Sequence, residues 1–144
     1  MKKIAFAAMV IMAFGLMSCE NDASTIRDEL SEEVRWYSGE FNVDCWTRLS
    51  DTDGLNGYYK ADVRIPNLNY SVLRGGQVNC YLFVGKDAQA QLPYVRHYEN
   101  GSGQRWTRTI DYEYYDGGVT VYVTDSDFAG DVPEAMSFRI MLAW

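Results

Sequence analysis

Alternation of apolar and polar residues with a period of two runs through the chain after residue 34 and predicts β strands. It is clearest in residues 58–65, 105–115, 119–124 and 136–142, where nearly every second residue is apolar or aromatic. Residues 77–84 form the most apolar segment of this region, which is typical of a strand in the middle of a sheet. The periodicity therefore predicts a domain made almost entirely of strands.

Glycine, asparagine, aspartate and proline separate the predicted strands and mark turns. Asn100-Gly101 lies between two alternating segments, which is a strong hairpin signal. Turns or loops are also expected at residues 38–40, 50–57, 85–93 and 116–118, and one helical turn at residues 69–74. About eight short strands with turns at this spacing predict an all-β fold, a single antiparallel β-sandwich of immunoglobulin-like or jelly-roll-like type.

The N-terminus has a different pattern. Lys2 and Lys3 precede an apolar run from Ile4 to Met17, which is too short for a permanent transmembrane helix and has the layout of a secretory signal. The polar residues that follow, up to about Glu33, show no sustained periodicity. We therefore expect a signal peptide over residues 1–18, an acidic tether over 19–33 and the β-sandwich domain over 34–144.

The junction Leu16-Met17-Ser18-Cys19 resembles the lipobox of bacterial lipoproteins. That resemblance implies that Cys19 is lipidated, with diacylglyceryl and palmitate-type chains, and becomes the N-terminus of the mature protein. Glu20-Asn21-Asp22 is similar to the acidic tag of Bacteroidetes surface lipoproteins, and the whole layout resembles small Bacteroidetes lipoproteins with a β-sandwich. The resemblance implies attachment to the outer membrane through the lipid, on its periplasmic or cell-surface face.

Net charge restricts the partners of the chain. The whole sequence has 13 basic and 20 acidic residues and a formal net charge of −7. Removal of residues 1–18 takes away two lysines and no acid, which leaves −9. An acidic domain repels the phosphate backbone, so no nucleic acid partner is expected.

Two cysteines remain once Cys19 is assigned to lipid. Cys45 and Cys80 each alternate with apolar residues of a predicted strand, so both are expected to point into the core. An exported domain permits a Cys45–Cys80 disulfide, but a domain of this size also folds with two free buried thiols. The sequence leaves both alternatives open.

No residue pattern indicates catalysis. His97 is the only histidine, it lies in a predicted strand, and the chain has no G-x-S-x-G motif. The spacing of the acids does not select a carboxylate pair for glycoside hydrolysis. We therefore predict no catalytic residues and a protein that is not an enzyme, with a small hydrolase as the least favoured alternative.

Calcium is the only cofactor for which the sequence has any pattern. Asp51-Thr52-Asp53-Gly54 has the start of a calcium loop, but the bidentate glutamate that should follow is missing. A second acidic loop contains Asp125, Asp127 and Asp131, and the count of predicted strands puts it at the opposite end of the sandwich. We expect solvated turn residues at both places and no bound metal.

Aromatic residues are the remaining signal. The chain has 4 Trp and 11 Tyr, more than one small core holds with ease. Tyr58, Tyr81, Tyr122 and Trp144 are candidate ligand-facing aromatics, because flat rings beside polar groups suit the faces of sugars. The same rings also suit a protein partner or simple cross-strand pairing. A binding domain for a glycan or an envelope protein is therefore predicted, with a structural or assembly subunit of an outer-membrane complex as the alternative.

Overall fold

A computed structural model of the chain describes residues 34–144. The predicted signal peptide, the lipobox with Cys19 and the acidic tether lie outside the described residues. The described part contains nine strands and one short helix. They are β1 (Trp36–Val43), β2 (Thr47–Leu49), β3 (Tyr58–Arg64), α1 (Tyr70–Gly75), β4 (Gln77–Gly85), β5 (Ala88–Gln91), β6 (Tyr94–Glu99), β7 (Arg105–Tyr115), β8 (Gly118–Asp125) and β9 (Met136–Ala143).

The strands form two antiparallel sheets packed against each other. The four-stranded sheet has the order β1-β9-β4-β5, and the five-stranded sheet has the order β2-β3-β8-β7-β6. The all-β sandwich predicted from the periodicity is confirmed. Within residues 34–144, no helix is long and apolar enough to cross a membrane.

The main core lies between the two sheets and is built from the inward residues of alternating strands. Phe138 of β9 is fully buried and stacks on Phe41 of β1, with ring centroids 5.3 Å apart. Val121 and Val123 of β8 face them from the other sheet. This burial of apolar side chains is what makes the alternation visible in the sequence, because only one face of each strand is in the core.

A second buried cluster closes one end of the sandwich around helix α1. Asn69 caps the helix by accepting from the backbone N–H of Ser71 at 3.0 Å. Leu68 and Val72 are thereby held against Val119, Ile140 and Leu142. The predicted helical turn is thus confirmed, and its role is to cover the end of the core.

Two local predictions are wrong. Residues 38–40 continue β1 and do not form a turn, because they pair in register with β9. Gly39 leaves room for the ring of Tyr37, which lies where a Cβ of residue 39 would be. Residues 88–91 form β5, although a loop was predicted for 85–93. The strand was missed because its sequence, Ala-Gln-Ala-Gln, contains no β-branched or aromatic residue that would indicate a strand.

The prediction that the two acidic loops lie at opposite ends of the sandwich is also wrong, because β5 was not counted. Tyr59 pairs with Val123, so the loop before β3 and the loop after β8 lie at the same end of the sandwich, not at opposite ends. The Tyr59 hydroxyl donates to the Gly130 carbonyl at 3.2 Å and links β3 to the second loop. One uncounted strand inverts the up-and-down order of every strand that follows it.

The two cysteines are free thiols and do not form a bridge. Cys80 is buried in the core, where burial raises its pKa to about 12. Cys45 is exposed, so the prediction that it points inward is wrong. The reason is that β1 ends at Val43, and Cys45 lies in the short link that carries the chain to β2 in the other sheet.

Candidate functional site

The outer face of the five-stranded sheet has the composition of a polar binding surface. The residues that alternate with buried Tyr59, Ala61, Val121 and Val123 point away from the core. Hydroxyl, carboxyl and aromatic side chains dominate this face. We call its central part the tyrosine–carboxylate surface, and it consists of Tyr58, Lys60, Asp62, Asp111, Glu113, Thr120 and Tyr122.

Two of the four predicted ligand-facing aromatics meet on this surface. Tyr58 of β3 and Tyr122 of β8 have ring centroids 6.0 Å apart, with an angle of 56° between the rings. Both side chains are half-buried. Because neither ring lies in the core, the pair offers aromatic surface to a ligand from solvent.

Carboxylates of β7 lie beside the Tyr122 ring. The Tyr122 hydroxyl donates to Glu113 Oε2 at 2.8 Å, and Asp111 is the direct cross-strand partner of Tyr122. Desolvation and the hydrogen bond to Glu113 raise the pKa of Tyr122 to about 12. Loss of part of its hydration and the nearby charge of Glu113 raise the pKa of Asp111.

The third carboxylate of the surface, Asp62, already accepts hydrogen bonds from two neighbouring side chains. Asp62 Oδ1 accepts from the Thr120 hydroxyl at 2.6 Å, and Asp62 Oδ2 accepts from Lys60 Nζ at 2.9 Å. These two donors lower the pKa of Asp62. Four ion pairs form among residues 34–144, and none of them includes Asp111 or Glu113. The surface therefore has two carboxylates without a cationic partner in this part of the chain.

A cleft of about 470 Å³ lies at the turn end of the β6–β7 hairpin, at the end of the same sheet where β8 ends. Its lining includes His97, whose Nδ1 is 2.9 Å from Thr107 Oγ1, and Ser126, whose hydroxyl accepts from the Thr107 N–H at 2.9 Å. The only histidine is thus engaged with a neighbouring strand residue. The remaining lining residues are Tyr98, Glu99, Arg105, Trp106 and Thr107.

The other two predicted aromatics lie elsewhere. Tyr81 is on the outer face of the four-stranded sheet, opposite Arg139 of β9, on the far side of the sandwich. Trp144 is half-buried and packs against the cluster around α1. The four predicted rings therefore do not form one site, and only Tyr58 and Tyr122 are brought together.

Asp51 and Asp53, the weak calcium candidates of the sequence, stabilise their own turn. Asp53 Oδ1 accepts from the Leu55 N–H at 3.1 Å, and the Asp51 carboxylate accepts from the Asn56 side-chain amide. Asp125 of the second acidic loop is buried and forms a partly buried ion pair with Arg108. Residues 34–144 contain no group of three or more His, Cys, Asp or Glu side chains that could hold a metal ion.

The sequence pattern does not single out Asp111 and Glu113, but a signal for them was present. The turn at Asp116-Gly117 joins β7 to β8 directly, and Gly117 has φ +91°. A hairpin of that length pairs Tyr115 with Gly118, which sets Asp111 opposite Tyr122 by counting. The contribution of Tyr58 could not be counted in this way, because β3 and β8 are distant in sequence.

The tyrosine–carboxylate surface thus combines two rings, two hydroxyl groups that donate to carboxylates, and two carboxylates without a cationic partner in the described residues, all on one sheet face. Such a surface can stack on a ring-shaped ligand and bind its hydroxyl or cationic groups. The chain matches no protein-family model, no curated protein and no solved structure.

Proposed function

We propose that this chain is a lipid-anchored protein of the outer membrane whose β-sandwich binds a glycan on the tyrosine–carboxylate surface. The observation that supports the proposal best is the Tyr58–Tyr122 pair, set among hydroxyl and carboxyl groups on an otherwise polar sheet face. C–H groups of a sugar stack on aromatic rings, and its hydroxyls donate to carboxylates.

A glycan suits this surface better than a protein partner does. The centre of a protein interface is usually apolar and depleted of charge. The tyrosine–carboxylate surface has the opposite character, with Lys60, Asp62, Asp111 and Glu113 around its two rings. Polar groups at several positions match a ligand that has hydroxyls around its whole edge.

The hydrolase alternative has one observation in its favour. Asp111 and Glu113 project from the same face of β7, two residues and therefore about 7 Å apart along the strand, and the pKa of Asp111 is raised. That separation is within the range for inverting glycosidases. Both carboxyls, however, rise from one side of an open sheet, whereas the catalytic pair must flank the scissile bond. We therefore propose binding without hydrolysis.

Substitution of the two rings tests the proposal. Tyr58→Ala and Tyr122→Ala are each expected to weaken glycan binding about fivefold, because each removes a stacking ring worth about 1 kcal/mol. Binding is measured by glycan-array screening of the wild type followed by calorimetry with the ligand found. Product analysis of the same mixtures should show no cleaved glycan.

Tyr70→Ala is the matched control, because Tyr70 is an exposed tyrosine on α1, away from this surface. It should leave glycan affinity unchanged. Equal loss in all three variants, or no glycan bound by the wild type, would contradict the proposed function and favour a protein partner or an assembly role.

The proposed membrane attachment is tested separately. Cys19→Ser in the native host should abolish incorporation of labelled fatty acid and leave an unprocessed or released protein. Each acyl CH₂ group that leaves the bilayer costs about 0.8 kcal/mol, so a processed protein that lacks the acyl chains should be released from the membrane. Cys45→Ser is the control and should keep the label. Soluble, unlabelled mature wild-type protein would refute the anchor, and protease treatment of intact cells reports which side of the membrane the domain faces.

A further inference from the structure

The tyrosine–carboxylate surface carries unbalanced negative charge. Lys60 is its central cation, and its ammonium is bound to Asp62 at 2.9 Å. Asp111 and Glu113 lie two residues apart on β7, and neither forms an ion pair with any residue in the described part of the chain. The local electrostatic field therefore favours a cationic group next to β7 and disfavours an anionic one.

The aromatic rings also favour a positively charged ligand group. The face of a tyrosine ring is electron-rich and attracts an ammonium placed over it. Asp111 is directly opposite Tyr122, and directly opposed residues of antiparallel strands have Cβ atoms about 5 Å apart. A cation between them would contact the ring and the carboxylate at once, with Glu113 two residues further along the same face.

We propose that the ligand is an amino sugar, a glycan unit with a free, protonated amine, and this proposal rests on the glycan-binding function given above. Its pyranose ring stacks on Tyr58 or Tyr122, and its ammonium donates hydrogen bonds to Asp111 and Glu113. Charge-assisted hydrogen bonds of this kind are about twice as strong as neutral ones. N-acetylation removes the charge, and uronic or sulfated sugars bring a charge of the wrong sign.

The protonation of Asp111 gives this preference a defined pH dependence. Its raised pKa means that protonation begins at a higher pH than for an ordinary aspartate, and a protonated carboxyl no longer attracts an ammonium. Amino-sugar binding should therefore weaken as pH falls through the range in which Asp111 protonates. The charged and titratable groups that share this face are Tyr58, Lys60, Asp62 and Arg64 of β3, Tyr122 of β8, Glu113 and Tyr115 of β7, and, towards the β6–β7 turn, His97, Glu99 and Arg105.

The experiment compares two oligosaccharides that differ only in the acyl group. The full mature chain is titrated calorimetrically with a glucosamine hexamer and with the corresponding N-acetylglucosamine hexamer, at a pH where the amines are protonated. The glucosamine hexamer should bind at least about tenfold more tightly. Asp111→Asn and Glu113→Gln should each reduce that preference several-fold, because the loss of a carboxylate charge weakens binding of the charged glucosamine hexamer more than binding of the acetylated hexamer.

Asp87→Asn is the matched control, because it removes one exposed acid from the turn after β4 and leaves the tyrosine–carboxylate surface intact. It should retain the full preference. Equal affinity for the two hexamers would overturn the amino-sugar inference and leave glycan binding standing. Failure of both hexamers and of every arrayed glycan would overturn the proposed function itself. Binding of a lysine-rich peptide alone, with the same dependence on Asp111, would identify a protein partner and overturn both.

Thermal unfolding separates loss of the ligand contact from loss of the fold. Asp111 has a raised pKa in the folded state, so its ionised form lowers the stability of the folded domain at neutral pH. Asp111→Asn should therefore unfold at the same temperature as the wild type or higher at neutral pH. The difference should shrink as pH falls and the wild-type carboxyl becomes protonated. A lower unfolding temperature at neutral pH would show that Asp111 has a structural role instead.

Discussion

Asp125→Ala is expected to lower the free energy of unfolding by about 3 kcal/mol, although Asp125 lies at the end of a strand beside a loop. Its carboxylate accepts from Arg108 Nε at 2.8 Å and from Arg108 Nη2 at 2.7 Å. Asp125 is 6% exposed and the Arg108 side chain 24%, so the variant would leave a cation without a partner in a partly buried place. Gly130 packs against the same carboxylate, where any larger residue would clash.

Glu99→Ala is the control for this prediction. Glu99 also pairs with an arginine, Arg105, but both side chains are exposed. Exposed ion pairs contribute about 0–1 kcal/mol, so this variant should unfold almost as the wild type does. Urea titration of both variants gives the comparison. Equal losses in the two variants would show that burial of the Asp125–Arg108 pair does not determine its effect.

Phe138→Ala is expected to lower the free energy of unfolding by about 4 kcal/mol, more than Asp125→Ala. Phe138 is fully buried on the central part of β9, between β1 and β4. Its ring stacks on Phe41 across the strand pair at 5.3 Å. Truncation to alanine removes that contact and leaves a cavity between the sheets that rigid strands cannot close.

Met141→Ala provides the comparison within the same strand. Met141 points to the opposite side of β9 and is 39% exposed. Its loss should cost less than about 1 kcal/mol, because little apolar area returns to water. The midpoint of chemical unfolding measures both effects. A loss for Met141→Ala as large as that for Phe138→Ala would mean that the outer face of the four-stranded sheet is covered by another part of the protein.

The fold class was predictable because each strand buries only one of its faces. β8 shows this directly, since Val119, Val121 and Val123 are buried and alternate with more polar residues. The order of strands in the sheets was not predictable. β9 pairs with β1 and with β4, and β3 pairs with β8, and these pairings depend on packing between segments that are distant in sequence.

The candidate site was predictable in part for the same reason. Tyr58 and Tyr122 stood out because aromatic rings occupied polar faces of strands, but their proximity depends on the pairing of β3 with β8. Asp111 could be set beside Tyr122 from the hairpin alone. The prediction that Cys45 points into the core was wrong, because it extended the alternation of buried and exposed residues past Val43. The strand ends at Val43, and the chain then crosses to the other sheet.

In the five-stranded sheet, alternate residues of each strand have different roles, one in the core and the next on the outer face. Along β8, Val121 and Val123 pack in the core, Tyr122 faces solvent on the outer side, and the buried Thr120 supports that side by donating to Asp62. A substitution at an outward position of these strands therefore changes the surface that meets solvent and leaves the packing of the core in place. The binding properties of the outer face can be altered residue by residue without unfolding the domain.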